Sequence, residues 1–442
     1  MAPFRAMCEQ AAQALEQGIP FADMAEPARS FLASLEYERD RDAPGAAHRP
    51  GMLRAAAGFI RLFRMVSAEA PGLVCFGAEI EAALDGKAAG TPQRWSVSGT
   101  GTTLRAAFEG CIGEGIERLS LIDDDRHEIV PGAVADHGHD LAPATAAAIA
   151  AVVPADRPLG WVAATRLPDG ARVWLPADLC ILRGAARQSF VPPHSIGVGC
   201  AAGPSFDAAA RHALLEVIER DAASLWWRGG ARGRLLRLED DANAEAARLL
   251  TQLRAGRRTR RSWLLDITSD LDVPCIAAVS STEDGFGFAC GLAARPTVAQ
   301  AVRAALLEMC QMELAHQIVE LKRRERGEAG FNEVDRAHLR RRREIDTRSC
   351  ALLHPLPPAL TPSEPTADPP PLPFGDLVGR LAARGIEIFA LDLTRPALGV
   401  PVVHILCPAL EKGAAGPAGP RLQEMIARTG GAETYTAGVP LM

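Results

Sequence analysis

A chain of 442 residues with 48% apolar and 23% charged residues has the composition of a folded globular protein, which excludes disorder over most of its length. A net charge of −6 excludes a dedicated nucleic-acid binder, which carries a basic excess, and 5% aromatic residues with only two Tyr leave little from which to build a stacking platform for single strands. At roughly 100–200 residues per domain, the length allows two to four structural units or one large enzyme with attachments.

Residues 1–38 read as helical, with Met7, Ala11 and Leu15, then Phe31 and Leu35, at helical spacing on either side of a Gly18-Ile19-Pro20 break. No apolar signal-peptide core opens the chain. Residues 39–51 are charged and carry Gly and Pro, so they read as a loop. Residues 53–67 read as a basic amphipathic helix built on Leu53, Phe59, Ile60, Phe63 and Val66. Residues 1–75 are thus expected to form a helical extension for packing or partner docking. The ten Cys include no C-x-x-C pair and sit in apolar runs such as Phe288-Ala289-Cys290-Gly291. They read as free buried thiols of a reducing compartment, not a disulfide frame or a zinc ribbon. No apolar run reaches membrane-spanning length, so a cytoplasmic enzyme with no membrane and no nucleic-acid partner is expected.

From residue 95 the texture becomes short strands and helices. The runs 161–165 and 173–175 flank Pro168-Asp169-Gly170, a hairpin signal. Leu264-Leu265-Asp266-Ile267-Thr268 followed by Val273-Pro274 resembles Ala390-Leu391-Asp392-Leu393-Thr394 followed by Val400-Pro401. Each reads as strand, turn and second strand. The basic runs 254–261 and 340–343 read as solvated faces, with an acidic partner or peptide as the functional alternative. Asp123-Asp124-Asp125 reads as exposed charge. His137-Gly138-His139 with Asp136 and Asp140 has metal-like composition but sits in a turn-rich loop. Cys200 has no obvious His partner, and Trp226 and Trp227 read as core. The nine prolines of residues 354–373 make a semi-rigid connector over 354–374.

The informative signal is a recurring helix motif. Ile112-Gly113-Glu114-Gly115-Ile116-Glu117-Arg118 and Leu214-Leu215-Glu216-Val217-Ile218-Glu219-Arg220 share E-x-x-E-R, and Leu306-Leu307-Glu308-Met309-Cys310-Gln311 is a degenerate third copy. Gly101 precedes Glu114, and Gly203 precedes Glu216, by the same 13 residues. The two Gly-rich turns read Ser98-Gly99-Thr100-Gly101-Thr102-Thr103 and Gly197-Val198-Gly199-Cys200-Ala201-Ala202-Gly203. Glu at i and i+3 with Arg at i+4 share one helix face, and the flanking Ile and Leu place these helices inside the fold. Burying unpaired carboxylates on converging helices is costly. A hard cation removes that cost, since Mg²⁺ takes carboxylate oxygens and keeps positions for phosphate. Gly-rich turns entering helices supply N–H groups to phosphates. The pattern predicts an ATP·Mg²⁺ constellation without a Walker loop or a kinase H-R-D set.

These motifs resemble the YcaO family of ATP-dependent peptide-modifying enzymes, above all over residues 99–119 and 199–227, supported by 300–311; the resemblance runs from about residue 75 to the end. It implies an α/β (α+β) fold peculiar to the family, with mixed sheets and converging ATP-binding helices. The resulting organisation is a helical extension over 1–75 and a YcaO domain over 76–442. It implies activation of backbone amides by O-phosphorylation, giving azoline rings when a Cys, Ser or Thr side chain is the nucleophile and thioamides when sulfide is. Carried over by motif, Glu114, Glu117, Glu216, Glu219 and Glu308 would hold metal. Gly99, Gly101, Thr102, Arg118, Gly203, Arg220, Arg303 and Gln311 would bind nucleotide.

Four positions depart from common family patterns: Thr100 replaces a Lys, Gly110 a Ser, Pro204 an Asn and Ala208 a Glu. Azoline-forming members end in a Pro-rich tail whose carboxylate reaches the active site. Here the segment is Gly438-Val439-Pro440-Leu441-Met442, so Pro440 and Met442 would be the catalytic tail residues. Pro408-Ala409-Leu410-Glu411 and Pro420-Arg421-Leu422 resemble closing segments of azoline-type heterocyclases. The implied partners are a precursor peptide, a separate leader-binding protein of ubiquitin-activating-enzyme-like type and a flavin-dependent azoline dehydrogenase, with the chain a homodimer inside a hetero-oligomeric synthetase. Thioamide formation with a TfuA-like partner and a scaffold that retains an ATP site without catalysis are the alternatives.

Overall fold

Helices and antiparallel strands alternate along the chain in a computed structural model that describes residues 2–39, 45–84, 92–137, 140–238, 243–354, 372–413 and 416–441. Every strand ladder among these residues is antiparallel, so the architecture is α+β. Two units interleave in sequence. The first comprises Met1–Met65, Val74–Leu214 and Leu377–Pro408, the second Val66–Leu73, Leu215–Asp376 and Ala409–Met442. The expected connector, apart from residues 354 and 372–374, lies outside the described residues, as do Gly138 and His139.

In the first unit, α1 (Ala2–Glu16), α2 (Glu26–Ser34) and α3 (Arg49–Gly58) precede a meander of β1 (Arg61–Met65), β2 (Val74–Ala82) and β3 (Gln93–Gly101). The helix expected over 53–67 therefore stops at Gly58. Phe59 turns extended and the Ile60 N–H donates to Glu79 O at 2.8 Å, which starts the ladder with β2. A local pattern does not contain that partner strand. Helix α4 (Leu104–Leu121) packs on the meander and buries Phe108, Cys111, Ile112 and Ile116. Then follow β4 (Ile129–Gly132), α5 (Val134–His137), α6 (Pro143–Ala150), β5 (Leu159–Leu167), β6 (Arg172–Pro176) and β7 (Cys200–Ala202). β5 and β6 form the hairpin around Pro168-Asp169-Gly170.

Helix α7 (Phe206–Trp227) starts in the first unit and continues into the second, which holds β8 (Arg234–Leu236), α8 (Ala244–Arg254), β9 (Arg261–Asp266), β10 (Cys275–Ser281), β11 (Ala289–Ala294), α9 (Val298–Arg326) and α10 (Glu333–Glu344). Its sheet runs β11-β10-β9-β8. After α11 (Phe374–Ala383), β12 (Ile388–Asp392) and β13 (Val402–Leu406) complete the first unit's second sheet, β4-β5-β12-β13-β7, with β6 on β5. Helices α12 (Pro420–Thr429) and α13 (Glu433–Thr436) close the second unit. Trp226 and Trp227 are core there, and Trp227 stacks on Phe288 at 5.4 Å.

The two similar strand–turn–strand stretches are built alike. Asp266 Oδ1 accepts from Thr268 N, and Asp392 Oδ1 from Thr394 N, both at 2.9 Å; the Thr hydroxyls accept from Cys275 N and Val402 N, both at 3.1 Å. The acidic run is a correction. Asp123 is 1% exposed and pairs with Arg183 and Arg187, and Asp124 pairs with Arg126 and Arg395; of the three, only Asp125 is exposed. Arginines distant in sequence make its burial affordable, and the run itself carries no sign of them. All ten thiols are free. Among the described residues no helix is long and apolar enough to cross a membrane.

Close packing of β3 on α4 makes Gly99 obligatory, because a Cβ there would stand 2.0 Å from Cys111 N, whereas one at Gly113 meets nothing within 4 Å. Denaturant unfolding should show Gly99→Ala less stable by at least about 2 kcal/mol and Gly113→Ala more stable by about 0.5–1 kcal/mol. Equal effects would refute the packing account.

Candidate active site

Each of the three motif helices follows a strand and begins at a hydroxyl. Thr103 Oγ1 accepts from Ala106 N at 3.1 Å on α4, Ser205 Oγ from Ala208 N at 3.2 Å on α7, and Thr297 Oγ1 from Gln300 N at 3.3 Å on α9. The cap stands 11 residues before Glu114, Glu216 and Glu308 alike. Sequence reasoning paired only the two Gly-rich turns and missed this hydroxyl, which also makes the third copy regular. The signal was present as a Ser or Thr at a constant offset.

In the first unit, Glu114 Oε2 accepts from Ser98 N on β3, and Glu117 Oε1 from Ala202 N on β7, both at 2.7 Å. The Cys200 thiol donates to Glu117 O. Arg118 is half-buried, its Nη1 3.7 Å from where a Gly197 Cβ would lie. The glycines expected at the nucleotide lie at the entries of α4 and α7. Gly99 and Gly101 pair in the ladder with β2 and lie close against α4, Thr102 follows them, and the Gly203 N–H donates to Pro401 O at 3.0 Å.

In the second unit, Glu308 Oε2 accepts from Leu292 N at 2.8 Å and Glu219 Oε2 from Ala294 N at 3.1 Å, both on β11. Arg220 donates to Glu216 at 3.3 Å and stands 3.6 Å from Glu219. Burial, opposed by Arg220 and reinforced by Glu308 and Glu216, pushes the Glu219 carboxyl up to about 7. Burial also raises Glu308, against Arg220 and Arg295. Arg295 occupies the position 13 residues before Glu308 where the other copies have Gly, and its charge acts on both carboxylates; sequence reasoning missed it. On α9, Glu308 and half-buried Gln311 lie about 60° apart, while exposed Arg303 lies about 140° round from Glu308 at about 100° per residue. Among the described residues no three His, Cys, Asp or Glu side chains are grouped as a ready metal site.

The two closing segments meet at α7. Asp221, fully buried, accepts from Glu411 N at 3.0 Å and pairs with Arg421 at 2.9 Å. Trp227 Nε1 donates to Val439 O at 2.7 Å, which fixes the chain just before Pro440; Met442 lies outside the described residues. Of the loop set, His137 packs on Trp161 and Asp136 accepts from Ala133 N.

A family-wide sequence model described as "YcaO cyclodehydratase, ATP-ad Mg2+-binding" matches residues 98–411. The chain belongs to the YcaO family. The solved structures similar to it include a heterocyclase in complex with substrate and cofactor, with a TM-score of 0.68 at 20% identity over 88% of this chain and 55% of that one. YcaO from Methanopyrus kandleri bound with AMPPCP and Mg²⁺ gives 0.56 at 21% identity over 86% and 90%. The E. coli microcin synthetase McbBCD complex with pro-MccB17 bound gives 0.59 at 14% identity over 79% and 88%. At these identities the likeness is one of fold. An uncharacterized protein of Mycobacterium tuberculosis is 32% identical over 98 residues, 22% of either chain, so the match spans about a fifth of that relative's length.

The native Glu219 pKa of about 7 exceeds the ordinary 4.5, so the folded chain holds this proton more tightly than the unfolded chain. Its contribution to stability is complete below about pH 4.5 and is lost as pH rises through about 7. In chelator and without nucleotide, stability should fall between about pH 5 and 7.5, and Glu219→Gln should remove about 2 kcal/mol of that fall. Superimposable pH profiles for the two proteins would contradict the assignment.

Proposed function

We propose that this protein is an ATP- and Mg²⁺-dependent peptide cyclodehydratase. A Cys, Ser or Thr side chain adds to the preceding backbone carbonyl carbon, and the carbonyl oxygen takes the γ-phosphoryl group of ATP. The addition closes the ring as the side chain loses its proton, and the phosphorylated oxygen then departs as phosphate while the nitrogen loses its proton, which forms the C=N bond of the azoline and leaves ADP as co-product. The observation that carries this reading is the threefold strand–cap–helix unit with a carboxylate at one offset, in a chain of a family described as cyclodehydratase.

The donor set supports Mg²⁺. In the second unit Glu216, Glu219 and Glu308 share the charges of Arg220 and Arg295, and burial makes Glu219 and Glu308 hold their protons more tightly, a cost that a bound cation would relieve. Carboxylate oxygens held by backbone N–H groups are hard donors of fixed orientation. Glu216, Glu219 and Glu308 of the second unit, and Glu114 and Glu117 of the first, are each proposed as cation ligands, and a bound cation would neutralise the phosphates of ATP. Arg118 and Arg220 fix these glutamates and counter phosphate charge, and Arg303 and Gln311 contact the nucleotide. Gly99, Gly101, Thr102 and Gly203, at the helix entries, would bind the nucleotide. Most of the catalysis in such a reaction is positioning and charge neutralisation, because a phosphate leaves readily where an amide oxygen does not. The peptide would arrive with its leader held by a partner chain, as in a synthetase complex.

Glu114→Ala and Glu216→Ala should each lower Mg²⁺-dependent ATP turnover by at least about 100-fold while keeping the wild-type melting temperature; wild-type turnover would end the assignment. Mass spectrometry of a Cys-containing precursor incubated with ATP and its partner should show loss of one water per ring. Exchange of oxygen for sulfur would make the product a thioamide, and an unchanged mass would make the chain a scaffold.

A further inference from the structure

Strand β7 is three residues long and lies at the end of its sheet, yet its Ala202 N–H holds the Glu117 carboxylate. A strand this short has few bonds of its own to keep it in place. The ladder with β13 pairs Val402 with Ala202, Val403 with Ala201 and His404 with Cys200. Just outside it, the Ile405 N–H donates to Gly199 O at 2.7 Å and the Gly203 N–H to Pro401 O at 3.0 Å. The side chain of His404, in the same unit, adds a support of another kind.

His404 is 2% exposed. Its Nδ1 lies 2.7 Å from Cys180 O and its Nε2 3.2 Å from Val198 O. Both oxygens are backbone carbonyls, which only accept. A neutral imidazole carries one N–H, so it serves one carbonyl and turns a ring lone pair on the other; a doubly protonated ring serves both. Each bond is then charge-assisted and roughly twice as strong as a neutral one.

The two carbonyls belong to different supports. Cys180 opens a segment tied to the end of α4, where the Leu182 N–H donates to Leu121 O at 2.7 Å and the Asp123 N–H to Leu182 O at 2.9 Å. Val198 lies in the Gly-rich turn that enters β7. The ring is therefore a strut from the end of α4 to the strand that holds a carboxylate of α4. The titratable groups on the elements packed against it are Cys200 on β7, Glu117 and Arg118 on α4, Asp392 on β12 and, beside Cys180, Asp178 paired with Arg183.

We propose that His404, with both ring nitrogens protonated, is a positioning residue that fixes the turn 197–203 and through Ala202 sets the Glu117 carboxylate. What Glu117 then does rests on the metal-site reading above; the clamp does not.

Two readouts use the full chain without nucleotide. Nitrogen-15 NMR of the histidine-labelled protein at pH 7, with the His404 signals assigned by their loss in either variant below, should show two protonated ring nitrogens. One unprotonated nitrogen would overturn the proposal. Asn at 404 carries its amide on the Nδ1 side and does not reach Val198, whereas Gln reaches the Nε2 side. Amide hydrogen exchange over 198–203 should therefore be at least roughly tenfold faster in His404→Asn, less accelerated in His404→Gln, and unchanged in β9–β11 of either. Equal effects of the two substitutions, or acceleration spread over the second unit, would reduce His404 to a packing residue. In ATP turnover, His404→Asn should need roughly tenfold more Mg²⁺ for half its maximal rate. An unchanged requirement would refute the link to Glu117, whereas Mg²⁺-independent turnover by the wild-type chain would refute the function proposed above.

Discussion

A helix carboxylate held by the backbone N–H of a neighbouring strand is the interaction on which the candidate site depends. It recurs four times, as Glu114 to Ser98, Glu117 to Ala202, Glu219 to Ala294 and Glu308 to Leu292. The bond restricts side-chain rotation, so little ordering entropy remains to be lost when a ligand arrives. It also explains why acids can remain on half-buried helices without a full set of counter-charges: each has one satisfied oxygen, and where that is insufficient the carboxyl holds its proton more tightly, as Glu219 and Glu308 do.

The register of these bonds follows from two rises. From Ser98 to the Thr103 cap a strand advances five residues, about 16 Å at roughly 3.3 Å each. From Thr103 to Glu114 a helix advances 11 residues, again about 16 Å at 1.5 Å each. The chain therefore goes out and back by equal lengths, and Glu114 returns level with Ser98. Eleven residues are also close to three helical turns, so the carboxylate returns to nearly the angular position of its cap. Leu292, Thr297 and Glu308 repeat the arithmetic with the same spacings. Gly291, whose Cβ would stand 2.2 Å from both Ala305 O and Met309 N, brings β11 against α9 as Gly99 brings β3 against α4.

What the sequence reveals and what it hides follow from the range of the interactions. The E-x-x-E-R helices, the hairpin at Pro168-Asp169-Gly170 and both strand–turn–strand stretches were legible because their signals are local: a 3.6-residue period, a turn tripeptide, an Asp-x-Thr turn. The strand at Arg61–Met65 was not, because its pairing partner β2 lies elsewhere in the chain. Asp123 looked like surface charge because its arginines are 60 and 64 residues away. The close approach of Gly99 and Gly101 to α4 was hidden, since a sequence pattern does not show which helix a glycine admits. Arg295 was hidden by a search for glycine at a position where the third copy carries charge.

The arginines at the ends of α9 and α10 have a simple partial explanation, and its magnitude shows where it stops. Cations in the last turn of a helix favour its macrodipole by about 0.3–1 kcal/mol each when exposed, which accounts for Arg323, Arg324, Arg342 and Arg343 as far as helix stability is concerned. It does not account for Arg341. Removing a guanidinium from water without a partner acid costs several kcal/mol after relaxation, well beyond what the dipole returns. Nor does it account for His316, buried beside that charge with a ring nitrogen unsatisfied.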